Sequence, residues 1–145
     1  MGLNFPQDCY YDRTNHLWVQ KHPDHPRVRV GIDSLGLESL GDLAYIALAP
    51  VGTRVVRGRP GGTLEAAKMT GELIAPVSGT VSARNEDVLR DPSLVNRENY
   101  GRGWLLIVEP SDWETESAEL VHGPELDEWV RAEIEHYRQQ GWINV

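Results

Sequence analysis

Gly62-Thr63-Leu64-Glu65-Ala66-Ala67-Lys68-Met69-Thr70-Gly71-Glu72-Leu73-Ile74-Ala75-Pro76-Val77-Ser78-Gly79-Thr80-Val81 reads as strand, tight turn, strand, then a proline- and glycine-marked bend into a further strand. Strands are predicted over 62–67, 69–74 and 80–84, with Lys68 at the first turn. Outward from this hairpin the same signals recur. Short β-branched or aromatic runs occupy 16–20, 27–32, 43–48, 53–57 and 104–108. Between them lie Pro23, Pro26, Pro50, Gly52, Gly58, Pro60-Gly61, Pro76 and Gly79. Asp33 or Ser34 is placed to cap a brief helix that Gly41 ends, and 87–99 reads as a loop with a short helical turn. Turn signals this frequent predict an all-β sandwich or barrel and argue against a βαβ fold.

After Pro110 the pattern changes. Ser111 is placed to cap a helix to about 121, with Glu114 at the capping-box position. Pro124 opens a second helix, whose Leu126, Trp129, Val130, Ile134 and Tyr137 share one face. So short a helical pair buries too little surface alone. The expectation is therefore one domain over 1–145, a β core at about 11–110 with helices packed on it at about 111–145.

The chain has 145 residues, of which 40% are hydrophobic and 25% charged, a globular composition. No apolar run approaches the roughly 20 residues of a membrane-spanning helix, so no membrane insertion is expected. The first residues lack the basic and apolar regions of a secretory signal, and Cys9 is the single cysteine. A reduced cytoplasmic setting is the expectation. The net charge of −8 argues against nucleic acid as a partner. All of it lies beyond Val108, where ten acids face two bases, while residues 1–108 sum to zero. This tail is expected to steer partner docking and to contribute little to the β core. Lysine occurs only at 21 and 68, so lysine-directed chemistry has two places to happen.

A lysine at a hairpin tip is held away from the core with its amine free, as a modifying ligase requires. Taken alone it would be an ordinary solvated lysine. The residues around it change that reading. Glu65-Ala66-Ala67-Lys68-Met69 followed by Ala75-Pro76-Val77-Ser78-Gly79-Thr80-Val81 resembles the modified hairpin of lipoyl and biotinyl carrier domains. His16-Leu17-Trp18-Val19, Gly31-Ile32-Asp33, Leu40-Gly41-Asp42-Leu43, Leu94-Val95-Asn96, Tyr100-Gly101-Arg102-Gly103-Trp104-Leu105 and Pro110-Ser111-Asp112 extend the likeness from about 11 to 121. In that order they resemble the H protein of the glycine cleavage system. The resemblance implies a mainly β barrel-sandwich hybrid with short helices and a C-terminal helical extension. It implies a non-catalytic carrier with lipoate on Lys68, in the hairpin context of Glu65, Met69 and Glu72. It also implies partners: a lipoate ligase or lipoyl-attachment enzymes, and donor and acceptor enzymes visited by a monomeric carrier. The absence of a Gly-x-Ser-x-Gly elbow, a phosphate loop or a paired-cysteine motif agrees with a carrier that catalyses nothing itself.

Three departures bear on the cargo. Leu17 stands where the family's His-Glu-Trp places the glutamate that helps hold the aminomethyl amine, and leucine offers no acceptor. The hairpin reads Glu-Ala-Ala-Lys-Met where the family more often has Glu-Ser-Val-Lys-Ala, and the acidic tail is longer. In lacking that glutamate the chain resembles the H-like lipoate-binding proteins of a heterodisulfide-reductase-like sulfur-oxidation system, whose arm carries sulfur intermediates. The alternatives are a glycine-cleavage H protein, a biotinyl carrier (Met69 matches Ala-Met-Lys-Met but Ala67 does not) and an unmodified adaptor. His16, His22 and His25 lack the companions of a zinc site, and no metal is expected. Cys9 is expected in a mobile N-terminal segment, without a role.

Overall fold

The computed structural model describes residues 3–144; Met1, Gly2 and Val145, which the 1–145 domain and the tail's end include, lie outside the described residues. The elements run β1 (Tyr10–Tyr11), β2 (Leu17–Lys21), β3 (Val28–Ile32), α1 (Ser34–Leu40), β4 (Leu43–Leu48), β5 (Arg54–Val55), β6 (Pro60–Ala66) and β7 (Thr70–Ile74). They continue with β8 (Gly79–Arg84), α2 (Glu86–Arg90), α3 (Ser93–Arg97), β9 (Leu106–Pro110), α4 (Trp113–Ser117) and α5 (Leu126–Gln139). A six-stranded sheet has the order β1-β2-β3-β9-β8-β5, and a three-stranded sheet the order β4-β6-β7; the paired strands are antiparallel.

Strand alternation decides what lies between the sheets. Val28, Val30 and Ile32 of β3, Val81 of β8 and Leu106 and Val108 of β9 meet Ile46, Leu48, Leu64 and Leu73 of the smaller sheet in one buried cluster. A second cluster gathers Cys9, Tyr11, Trp18, Val121 and Leu126, with Phe5, Trp129 and Val130 packed against it. Gly31 makes room for it: a Cβ there would land inside the Trp18 indole.

Asp33 caps α1 as expected, accepting from Gly36 N at 2.9 Å, and Gly41 ends the helix with φ 78°. The 87–99 loop contains two short helices, α2 and α3, the first capped by Asn85. Two expectations need correcting. The helix after Pro110 is capped by Asp112, not Ser111, and stops at Ser117. Glu114 forms no capping box; Glu116 instead reaches across to β8's entry turn, accepting from Ser78 N at 2.6 Å and Ser78 Oγ at 2.7 Å. Cys9, expected in a mobile segment, is instead buried beside a bridge in which Tyr11 N donates to Val121 O and Val121 N to Tyr11 O, tying β1 to the tail. That short bridge, absent from the strand expectations, is what the C-terminal segment packs onto.

Candidate functional site

β6 and β7 pair with Glu65 opposite Thr70 and Thr63 opposite Glu72, which puts both glutamates on the outer, exposed face. Leu64 and Leu73 point into the core and anchor the hairpin. Ala66 N bonds Met69 O at 2.9 Å, leaving Ala67 and Lys68 as the exposed tip. The tip is not a free end. Ala67 N donates to Asp42 O and Lys68 N to Leu40 O, each at 2.9 Å, so its backbone is docked on the end of α1.

The receiving loop is itself clamped. Asn96 Nδ2 donates to Gly41 O at 3.0 Å, and Asn96 Oδ1 accepts from Leu43 N at 2.9 Å. Gly41 is required twice: for its positive φ, and because a Cβ there would lie 3.3 Å from Ala67 Cβ and 3.4 Å from Lys68 Cγ. The Lys68 side chain is exposed, and its Nζ donates to Glu38 O at 2.9 Å. An ammonium suits the unpaired carbonyls at a helix C-terminus. Lys21, the other lysine, lies at the end of β2 with no comparable cradle among its described contacts.

Cavities open on several sides of the hairpin. One of about 220 Å³ is lined by His16, Leu17, Met69, Glu72 and Tyr137 among others. Leu17, only 4% exposed, forms part of its wall and of the core. A second of about 390 Å³ is polar, lined by Glu38, Asp42, Lys68, Asn96 and Asn99 among others. A third of about 590 Å³ lies between Ser39, Lys68, Met69, Tyr137, Gly141 and Trp142. Met69 is therefore brought to the lysine's apolar side, and of the two exposed glutamates Glu72 reaches the rim of the Leu17 cleft while Glu65 lines none of these three cavities. An amine acylated at Lys68 would lose its charge while its backbone stayed pinned, and apolar and polar walls lie within the reach of a long arm.

His16 is no metal ligand in this arrangement. It occupies a positive-φ position (57°) after the Asp12 turn, fully buried. Its Nδ1–H donates to Asp33 Oδ2 and its Nε2–H to Glu133 Oε1, both at 2.8 Å. Two carboxylate acceptors call for two ring protons, an imidazolium. Burial pulls its pKa down, but the bonds and charges of Asp33 and Glu133 outweigh burial and set it above the ordinary value. Burial raises Asp33, only partly offset by His16. Trp129 stacks on the His16 ring at 5.2 Å and Tyr137 meets it edge-on at 5.1 Å. No local spacing points to Glu133, 117 residues away, as the second partner of His16. His22 and His25 stack on each other at 3.8 Å in the β2–β3 turn.

The two-sheet sandwich with its capping helices is a barrel-sandwich hybrid, the architecture of carrier domains that present a lysine on a hairpin. The chain belongs to the glycine cleavage H-protein family, whose sequence model matches residues 9–133. Proteins of this family are non-catalytic carriers with lipoate held covalently on a lysine. The chain is 34% identical over 139 residues to glycine cleavage system H protein 3 of Aquifex aeolicus, covering 94% of this chain and 86% of that one. It is 42% identical over 109 residues to the glycine cleavage system H protein of Mycobacterium avium, covering 75% and 81%. The crystal structure of a glycine cleavage system H protein from Mycobacterium marinum superposes with a TM-score of 0.68 at 37% identity, covering 74% of this chain and 87% of that one. Among the described residues no helix is long and apolar enough to cross a membrane.

Proposed function

We propose that Lys68 is the lipoylated residue, that residues 1–145 act as one monomeric carrier domain, and that its cargo is a sulfur intermediate passed between enzymes of a heterodisulfide-reductase-like sulfur-oxidation system. The observation that carries the choice of cargo is Leu17. It lies in the wall of the cleft behind the hairpin, where the family's glutamate would meet an amine. A carrier of an aminomethyl group placed there forgoes a charge-assisted hydrogen bond of roughly 1.5–3 kcal/mol. A sulfur cargo needs no such acceptor.

Lipoate supplies the reacting group, a dithiolane whose disulfide opens and closes. The protein supplies presentation and orientation. The Ala67 and Lys68 amides, held by Asp42 and Leu40 carbonyls, fix where the arm begins. Glu65, Met69 and Glu72 give the attachment enzyme, a lipoate ligase or its equivalent, a firm hairpin context. The carrier's other partners are the enzymes that load and unload it, and a reduced cytoplasmic compartment suits a dithiol arm.

The second reading, glycine cleavage itself, is favoured by the names of the relatives and by Glu72, an acid still present at the cleft. Two measurements separate the readings. Fragmentation of the protein from its native host should find the lipoyl mass on Lys68 and none on Lys21; biotin on Lys68, or an unmodified chain, overturns the lipoyl assignment. The lipoylated protein should then turn over slowly with glycine decarboxylase and aminomethyltransferase. A rate equal to that of a glycine-cleavage H protein removes the sulfur reading and leaves the lipoyl site intact.

A further inference from the structure

The segment after α5 is capped and packed back onto the helix. Trp142 N donates to Tyr137 O at 3.0 Å and Gly141 N to Arg138 O at 3.1 Å, with Gly141 at φ 77°. These are the two bonds and the left-handed residue of a Schellman cap. Ile143, just beyond, is buried. Trp142 is thus placed between two fixed points, with its ring edge-on to Tyr137 at 5.0 Å and to His136 at 5.6 Å. Yet it is 49% exposed, and Met69 across from it is 51% exposed. Two large apolar side chains face the same 590 Å³ cavity, and Lys68 is in its wall. That volume lies within the roughly 300–1,000 Å³ of small-molecule sites.

We infer that Met69, Tyr137 and Trp142 form a docking shelf for the lipoyl arm on Lys68, a seat built by the C-terminal extension. The inference rests on Lys68 as the lipoylation site. Tyr137, Gly141 and Trp142 lie beyond the 9–133 family match, so this wall comes from the C-terminal extension. The chemistry favours it over the neighbouring spaces. As a free amine, Lys68 sits on the Glu38 carbonyl, toward the polar cavity. Acylation removes the ammonium charge and so the charge-assisted part of that bond. What remains is an apolar chain ending in two sulfurs. The aromatic side of the lysine offers apolar area and sulfur–aromatic contacts, each of modest strength. The smaller Leu17 cleft does not have Lys68 in its wall. Shelving the arm here would hold it reversibly and shield its thiols between partner visits.

The test uses the full chain, lipoylated at Lys68 and verified by mass. Among the five tryptophan indole N–H signals, that of Trp142 should move on lipoylation while those of the buried Trp18 and of Trp113 stay. After reduction, iodoacetamide should alkylate the arm's thiols roughly two- to tenfold faster in Trp142→Ala than in the parent, the range such contacts carry. Val56→Ala, a trimmed exposed apolar residue elsewhere, should leave the rate unchanged. A Trp142 signal that does not move, or equal alkylation in parent and Trp142→Ala, overturns the shelf while the carrier reading stands. Failure of Lys68 to accept lipoate overturns both.

Discussion

Asn96→Ala probes whether the lysine is positioned or merely exposed. The substitution deletes two hydrogen bonds, to Gly41 O and from Leu43 N, that hold the loop under the hairpin tip. Each such bond contributes a net ~0.5–1.5 kcal/mol, and a buried group left unpaired costs about 1–3 kcal/mol. Asn96 is half-buried, so water replaces part of what is lost. A loss of about 2 kcal/mol follows, a fall of roughly 4–8 °C in Tm for a chain of this size. The same loop supplies the Leu40 and Asp42 carbonyls that hold the Lys68 and Ala67 amides. If about 1 kcal/mol of the loss falls on the docked tip, kcat/KM for lipoylation by the ligase drops roughly fivefold. Asn96→Asp keeps the acceptor for Leu43 but sets a carboxylate against the Gly41 carbonyl, and should destabilise at least as much. The assay pairs a thermal melt with single-turnover lipoylation well below the melting range. An Asn96→Ala protein that melts lower yet is modified at the parent rate would refute the idea that this loop sets the lysine.

Raising pH should weaken the fold through His16. Its folded-state pKa lies above the unfolded value of 6.5, so its stabilisation is complete below about that pH and disappears as pH rises through the folded value; the urea midpoint should fall over that window in the parent and not in His16→Gln. Glu116→Ala should cost about 1.5–3 kcal/mol by unmaking both Ser78 bonds, read as a lower urea midpoint, and an unchanged midpoint would mean that α4 is not pinned there. Neutralising exposed Glu119, Asp127 and Glu128 instead should shift stability by less than about 0.5 kcal/mol while lowering the partner on-rate and its salt dependence in stopped-flow binding. Burial, with Asp8 beside it, pushes the Cys9 thiol up to about 12, so the folded chain at pH 8 should resist iodoacetamide and react once unfolded; rapid labelling of the folded chain would contradict the observed burial.

Much of the fold was legible because it is written in local signals. The tip lysine followed from two strand-like runs meeting at Lys68, and Asp33 or Ser34 and Gly41 marked the two ends of α1. The helix after Pro110 was misjudged because Asp112 competes with Ser111 for the cap, and its neighbour Glu116 bonds across to Ser78 instead of along the helix. No spacing rule reports a partner 38 residues away. The same limit hid Glu133 behind His16 and made the acidic tail look like loose charge. At least two of its ten acids are structural. The clamp on the tip shows the converse case. Asn96 stood out only within a family-like motif, and its contacts with Gly41 and Leu43 supply the physical reason for an asparagine: one donor and one acceptor are needed at the same point.

The tail and the β core are best treated as one electrostatic unit. α5 has Leu126 buried among Cys9, Tyr11 and Trp18, but farther along it turns half-exposed, and apolar area alone gives its last turns little hold. What fixes them is the imidazolium of His16, which meets Glu133 through Nε2 and lies against Trp129 and Tyr137. His16 in turn is oriented by Asp33, whose other oxygen caps α1 at Gly36, and the far end of α1 carries the carbonyls that receive Lys68. A single chain of contacts, buried at His16 and Asp33, thus runs from the C-terminal helix to the helix that cradles the hairpin tip. Removing the His16 ring would strand the buried Asp33 carboxylate without its partner, and leaving a buried charge unpaired costs far more than the pair contributes. The extension is accordingly a clamp at its His16 face and a charged surface at Glu119, Asp127 and Glu128. The two roles sit on different residues of the same segment, which is why one net charge could not describe both.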